Sequence, residues 1–156
     1  IRYVRRKYNL IIGKRMAEQT KMEAGCVYPQ EETLTCRVKG RNALSGLPQW
    51  VDITGEEMLE ALLEPAMEIV QAVQNTLEST PPELMSDVYE DGMYLTGGSA
   101  RLRGFATLLR KKTRIPVIES EEPENCVVTG AGKATKFIDD MENKQYGILN
   151  PLSATY

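Results

Sequence analysis

Leu95-Thr96-Gly97-Gly98-Ser99-Ala100 is the stretch that decides how this chain is read. A short apolar run, Met93 to Leu95, meets two adjacent glycines, and a helix-like segment follows. Strand, glycine turn and helix together bring bare backbone close to a ligand. The glycines remove the Cβ that would block approach, and amides at the following helix N-terminus point outward toward an anion. That geometry suits the ribose and phosphate of a nucleotide. Taken alone it is equally the pattern of a purely structural turn, because glycine pairs after strands are common.

Outward from this turn the pattern alternates. The strand Met93 to Leu95 leads through the glycines to a helix over Phe105 to Lys112, then to a strand over Pro116 to Ile118. An acidic loop from Glu119 to Glu124 and a last helix follow, with Val127, Ala131, Ala134, Ile138 and Met141 on one face. Upstream, Thr54-Gly55-Glu56-Glu57 has capping-box spacing, and Leu59, Leu62, Leu63, Ile69, Val70, Val73 and Leu77 recur at helical spacing. Pro65 should kink or divide that helix, and Pro81-Pro82 should end it before a short helix over Glu83 to Glu90.

The first third reads differently. Ile1 to Tyr8 is the end of a helix with a basic face (Arg2, Arg5, Arg6, Lys7), either solvated or turned to an acidic partner or membrane. Leu10-Ile11-Ile12 is a turn-bounded connection, and Lys14 to Ala24 is a helix stopped by Gly25. Two β-like runs, Thr33 to Val38 and Gln49 to Ile53, flank a turn-rich segment and predict a hairpin. The result is an α/β chain with a helix-plus-hairpin first third and a β-α-β-α final third. Two strands beside several apolar helix faces make a poor independent core. The missing partner strands are expected upstream of Ile1.

Composition narrows the chemistry. No apolar run is long enough to span a bilayer, no secretory signal is visible, and the chain opens on Ile1 where a complete protein would carry Met. A net charge of −3 argues against general nucleic-acid binding. The odd count of three cysteines, without CxxC spacing, predicts reduced thiols in a cytoplasm. There is no histidine, which excludes Ser-His-Asp, Cys-His and histidine-base chemistry and leaves a zinc site without its usual ligands.

Several segments, in this order, carry a more specific signal: Tyr3-Val4-Arg5-Arg6, Ala17-Glu18-x-x-Lys21-x-Glu23, Leu44-Ser45-Gly46-Leu47-Pro48, Thr80-Pro81-Pro82-Glu83-Leu84, Leu95-Thr96-Gly97-Gly98, Ile115-Pro116-Val117 and Cys126-Val127-x-x-Gly130-x-Gly132-Lys133-Ala134. Together they resemble the C-terminal half of MreB, the bacterial branch of the actin family, from Ile1 to Met141. The resemblance implies an actin-like ATPase (ribonuclease H-like) fold, of which this chain supplies an incomplete second lobe. Its parts would be a small peripheral subdomain over 1–53, part of the large inner subdomain over 54–142, and a tail over 143–156.

The same resemblance implies where a nucleotide sits. Glu18 and Lys21 match the family's E-x-x-K, which contacts ribose and adenine. Three residues apart on one helix face, they also satisfy an ordinary surface ion pair. Gly97, Gly98, Ser99 and Ala100 match the second adenosine-contacting loop, with Ser99 where a third glycine is usual. Arg101 stands where the family usually has an apolar residue; pairing with a phosphate and pointing into solvent are both open to it. Gly130-Ala131-Gly132 lies on the apolar period of the last helix and reads as close helix packing. Arg110, Lys111 and Lys112 are explained by a helix dipole, and the acidic loop reads as ordinary surface.

The aspartate-led D-x-G-T hairpins that hold phosphates and Mg²⁺ in such ATPases have no counterpart in this sequence. The expectation is therefore adenosine-side contacts with no catalytic residue and no metal ligand. ATP with Mg²⁺ would bind in the intact parent but not tightly to this chain alone. Implied partners are further copies in a filament, the missing N-terminal lobe, and membrane proteins of cell shape and wall synthesis, at the inner membrane face. No insertion of this chain itself is expected. The alternative reading is a stand-alone interaction module that keeps the lobe's contacts and has lost ATP chemistry.

Overall fold

Two sheets of opposite character organise the chain. The computed structural model describes residues 1–32 and 34–135. The elements run α1 (Arg2–Tyr8), β1 (Leu10–Ile11), α2 (Lys14–Ala24), β2 (Thr35–Asn42), β3 (Pro48–Thr54), α3 (Gly55–Glu78), α4 (Pro82–Asp91), β4 (Met93–Leu95), a 3₁₀ turn (Gly98–Arg101), α5 (Phe105–Thr113), β5 (Val117–Glu119) and α6 (Cys126–Thr135). The tail over 143–156 and the Ile138 and Met141 positions of the last helix lie outside the described residues.

β1, β2 and β3 form an antiparallel sheet in that order. Cys36, Val38 and Ile53 point into the core while Arg37 and Lys39 point out, the alternation that a half-buried strand requires. Both hairpin strands run longer than their β-like sequence. The turn chemistry is confined to the tip, where Asn42 Oδ1 accepts the Leu44 and Ser45 amides at 2.8 and 3.0 Å. Leu10-Ile11 is a strand and not the connection its short sequence suggests, pairing with Asn42 and Arg41. Gly40 permits this: a Cβ there would lie 2.6 Å from the Ile11 carbonyl oxygen.

α3 begins with the expected capping box, in which Thr54 Oγ1 accepts the Glu57 amide and Glu57 Oε2 accepts the Thr54 amide. Pro65 does not divide it; one helix runs from Gly55 to Glu78. Met58, Ala66 and Val70 are buried on either side of the proline, so packing carries the helix through the lost donor. α3 serves two cores. Met58 packs with Val4, Leu10, Ile12, Cys36, Val38 and Ile53. Ala66 and Val70 pack with Val27, Phe105, Leu108, Leu109 and Val117, and Leu62 touches both groups.

β4 and β5 are a parallel pair, joined through the 3₁₀ turn and α5. β5 starts one residue later than its sequence suggests, its pairing opened by the Met93 amide donating to the Pro116 carbonyl at 2.8 Å. The glycine pair does not open directly onto an α-helix. A single 3₁₀ turn intervenes, and α5 starts only after Gly104 in a left-handed conformation. α6 buries none of its residues, and a Cβ on Gly130 or Gly132 would meet nothing within 4 Å. The close packing expected of those glycines is not formed among the described residues.

Candidate functional site

α2 buries Thr20 and Ala24, and the flank beside them presents Glu18 and Lys21 to the 3₁₀ turn across a cleft of about 470 Å³. Gly98, Ser99 and Arg101 line the other wall, so five of the seven sequence-predicted residues meet in one place. The other two are not part of its lining. Gly97, at φ +82°, donates its amide to the Pro123 carbonyl at 2.7 Å, and Ala100 is buried.

Glu18 and Lys21 are not an ion pair. Among the described residues the pairs are Lys7–Glu57, Arg37–Asp52 and Arg101–Glu124. Both charges on α2 are therefore left facing the cleft. Arg101 is exposed to solvent, its side chain 59% accessible, but it does not stand free for a phosphate. Its Nε donates to Glu124, and that guanidinium holds the Glu124 carboxyl below its usual range.

The cleft walls are clasped to one another. Arg103 donates from Nη2 to the Glu23 carbonyl at 3.0 Å, the Val27 amide donates to the Arg103 carbonyl at 3.0 Å, and Cys26 bridges to Arg103 in parallel. Gly25 brings the end of α2 so near that a Cβ would lie 3.0 Å from Leu102 Cδ1. Sequence reasoning missed Met22, Leu102 and Glu124 in the lining and Arg103 as the clasp. Met22 had a signal, an apolar side chain beside Lys21 on the polar face of α2, where it is 75% exposed. Glu124 had none, being one acid among several in its loop.

A second cavity of about 520 Å³ lies along α2, with Ile1, Tyr3, Ile12, Met58 and Leu62 among its lining. It is larger and Glu18 and Lys21 line it too, but it carries no glycine turn. The smaller cleft joins bare backbone to convergent acid and base, and its size falls in the range of about 300–1,000 Å³ common to small-molecule sites.

Other charges are accounted for inside the chain. Lys7, from the basic face of α1, sits 2.7 Å from Glu57, whose carboxylate also accepts from Tyr8 and from the Thr54 amide. Burial pushes the Glu57 carboxyl up, but the hydrogen bonds from Lys7, Tyr8 and Thr54 outweigh it and lower its pKa to about 2. At the end of α5, Arg110 reaches the Val117 carbonyl at 3.1 Å and Lys111 the Tyr28 hydroxyl at 2.6 Å, contacts beyond the dipole's. Cys26, Cys36 and Cys126 are free thiols. Among the described residues there is no metal-holding cluster of acids and cysteines, and no helix long and apolar enough to cross a membrane.

The arrangement of elements is that of part of an actin-like protein. A crystal structure of MreB5 of Spiroplasma citri bound to ADP superposes with a TM-score of 0.84 at 29% identity, over 92% of this chain and 43% of that one. The MamK double helical filament superposes at 0.64 over 79% of this chain and 38% of that one, and at 22% identity it speaks to the fold alone. Residues 1–143 match the MreB/Mbl protein family, and the chain belongs to it. It is 48% identical over 139 residues to the cell shape-determining protein MreB of Escherichia coli (strain K12), covering 89% of this chain. It spans about 40% of the length of that relative.

Proposed function

We propose that this chain forms the adenosine-binding side of the second lobe of an ATP-binding, filament-forming bacterial actin that organises wall synthesis and rod shape. The observation that carries the reading is the meeting of Glu18 and Lys21, unpaired with each other, with Gly98 and Ser99 across one cleft. It is supported by the likeness to a protein crystallised with ADP. Glu18 offers acceptors for ribose hydroxyls, Lys21 offers donors, and the bare backbone at Gly98 admits the ligand closely. Gly97 and Ala100 belong to the turn that forms this wall.

On this reading residues 1–53 are the peripheral subdomain, 54–142 belong to the inner subdomain, and 143–156 are a tail. The phosphates and Mg²⁺ would be held by the N-terminal lobe, and the bound ATP would supply the hydrolysable phosphoanhydride. Further copies of the protein, its N-terminal lobe and wall-synthesis membrane proteins are the partners, at the inner face of the cell membrane. The interaction-module reading draws on Ser99 and on the Arg101–Glu124 pair; the free Glu18 and Lys21 favour nucleotide binding. Calorimetric titration of the full-length protein with ADP tests the choice. Glu18→Ala should weaken binding about tenfold, the loss of a charge-assisted hydrogen bond. Unchanged affinity would contradict the assignment.

A further inference from the structure

The nucleotide reading leaves one wall of the cleft without a role, the Arg101–Glu124 pair, and the inference that follows rests on that reading. We infer that Arg101, held in place by Glu124, is the flat surface on which the base of the bound nucleoside lies. Three features of the structure converge on it.

The first is placement. Gly98 to Arg101 is one turn of 3₁₀ helix, in which residues three apart stand on the same side. The Arg101 side chain therefore rises beside the bare backbone of Gly98, and both line the cleft. Glu124 reinforces the arrangement, since its Cγ is the nearest atom, at 3.9 Å, to the position a Cβ on Gly98 would take.

The second is restraint. An exposed arginine is ordinarily a moving group, but here Glu124 takes Nε and leaves the two terminal nitrogens outside that bond. The loop bearing Glu124 is itself tied down, with Pro123 accepting the Gly97 amide at 2.7 Å and Glu122 accepting the Asn125 amide at 3.0 Å. A guanidinium fixed in this way has paid its ordering entropy before the ligand arrives.

The third is chemistry. Among the described residues no aromatic ring lines the cleft; its remaining walls are Glu18, Lys21, Met22, Ser99 and Leu102. A planar base needs a flat partner, and among these described residues the guanidinium of Arg101 is the only planar cation, a group that stacks well on π-systems. A phosphate fits this position poorly. It would face the Glu124 carboxylate, a like charge beside an arginine already neutralised, whereas a neutral base meets no such repulsion. Arg101 is thus a ligand-contacting residue and Glu124 a positioning residue that acts through it.

The test compares adenosine with ADP on the full-length protein by calorimetry, with thermal melting to verify that each variant is folded. Arg101→Ala should weaken both ligands by the same factor, roughly twofold to fivefold, the range of an exposed cation–π contact. Arg101→Lys should lose as much, because it keeps the charge but not the plane. Glu124→Gln should weaken both ligands when Arg101 is present and have no effect in the Arg101→Ala background, a coupling that a merely structural loop contact would not show. A loss confined to ADP, full rescue by lysine, or an equal Glu124→Gln effect in both backgrounds would overturn the inference. If the unsubstituted protein binds both ligands and Arg101→Ala leaves them unchanged, this inference alone fails. If the unsubstituted protein binds neither, the nucleotide reading fails and takes this one with it.

Discussion

The two sheets of this molecule differ in how far they close on themselves. β1 to β3 are antiparallel neighbours, β2 and β3 joined by a short turn and β1 reaching β2 through α2, and with α1, α2 and the first turn of α3 they bury Leu10, Val38 and Ile53 completely. β4 and β5 are parallel, and a parallel sheet is stable only with both faces covered. One face of the pair packs on α3 and α5 through Met93, Leu95 and Val117, but Tyr94 is 72% exposed, and Val127 and Val128 on α6 are 80% and 66% exposed, so among the described residues the second face is bare. The lesson concerns contact range. A hairpin is closed by a turn of a few residues, whereas a parallel pair closes only through a longer crossover, here the 3₁₀ turn and α5. The candidate site lies on the seam, with one wall from each region, so a ligand there would respond to the relative position of both.

The strongest way to break this comparison is to remove a buried side chain from the closed region and an exposed one from the open region. Ile53→Ala should destabilise the protein by about 2–5 kcal/mol in urea unfolding. Val127→Ala should change stability by under about 0.5 kcal/mol unless another segment covers α6. Equal costs would show that the second region is as well covered as the first.

A smaller effect is expected at Glu57, which ties α1 to the head of α3 through Lys7, Tyr8 and the capping box. Glu57→Gln should cost about 1–2 kcal/mol, the worth of a hydrogen-bonded cap and its partners. The sign with pH follows from its carboxyl sitting at about 2 against an ordinary 4.5. Its contribution is complete above about 4.5, falls as the pH drops below that, and is gone below about 2. Denaturation followed from pH 6 to pH 2 should show a shallower decline in Glu57→Gln than in the unsubstituted protein. Parallel curves would remove Glu57 from the account of how α1 is held within the first region.

The smallest effect sharpens the comparison from inside the hairpin. Arg37 and Asp52 pair at 3.0 Å on its outer face, where both are largely exposed. Asp52→Asn should leave the melting temperature unchanged, at low salt as at high salt, because water screens such a pair. A clear loss would mean that the outer face of β2 and β3 carries stability now assigned to its buried side.

What could be read from the sequence follows the same division by range. The capping box at Thr54 and Glu57 was legible because its partners lie three residues apart, and helix α2 was legible from its composition and Gly25. β1 was not, since two residues show no alternation and their partners lie some thirty positions away at Arg41 and Asn42. Division at Pro65 did not follow, because the local rule against proline was overridden by packing on both sides of it. At the site, Glu18, Lys21 and the glycine turn were legible as a family motif in the right order. The role of Arg101 was not, because its partner Glu124 belongs to a loop whose acids look interchangeable until the chain is folded.

Hydrogen–deuterium exchange on the full-length protein, with and without saturating ADP, tests the central assignment most directly. Protection is expected in two separate stretches, Glu18 to Met22 on α2 and Gly97 to Leu102 on the glycine turn, with β2 and β3 unchanged. Nucleotide-dependent protection that leaves both stretches untouched would contradict the placement of the adenosine in this cleft.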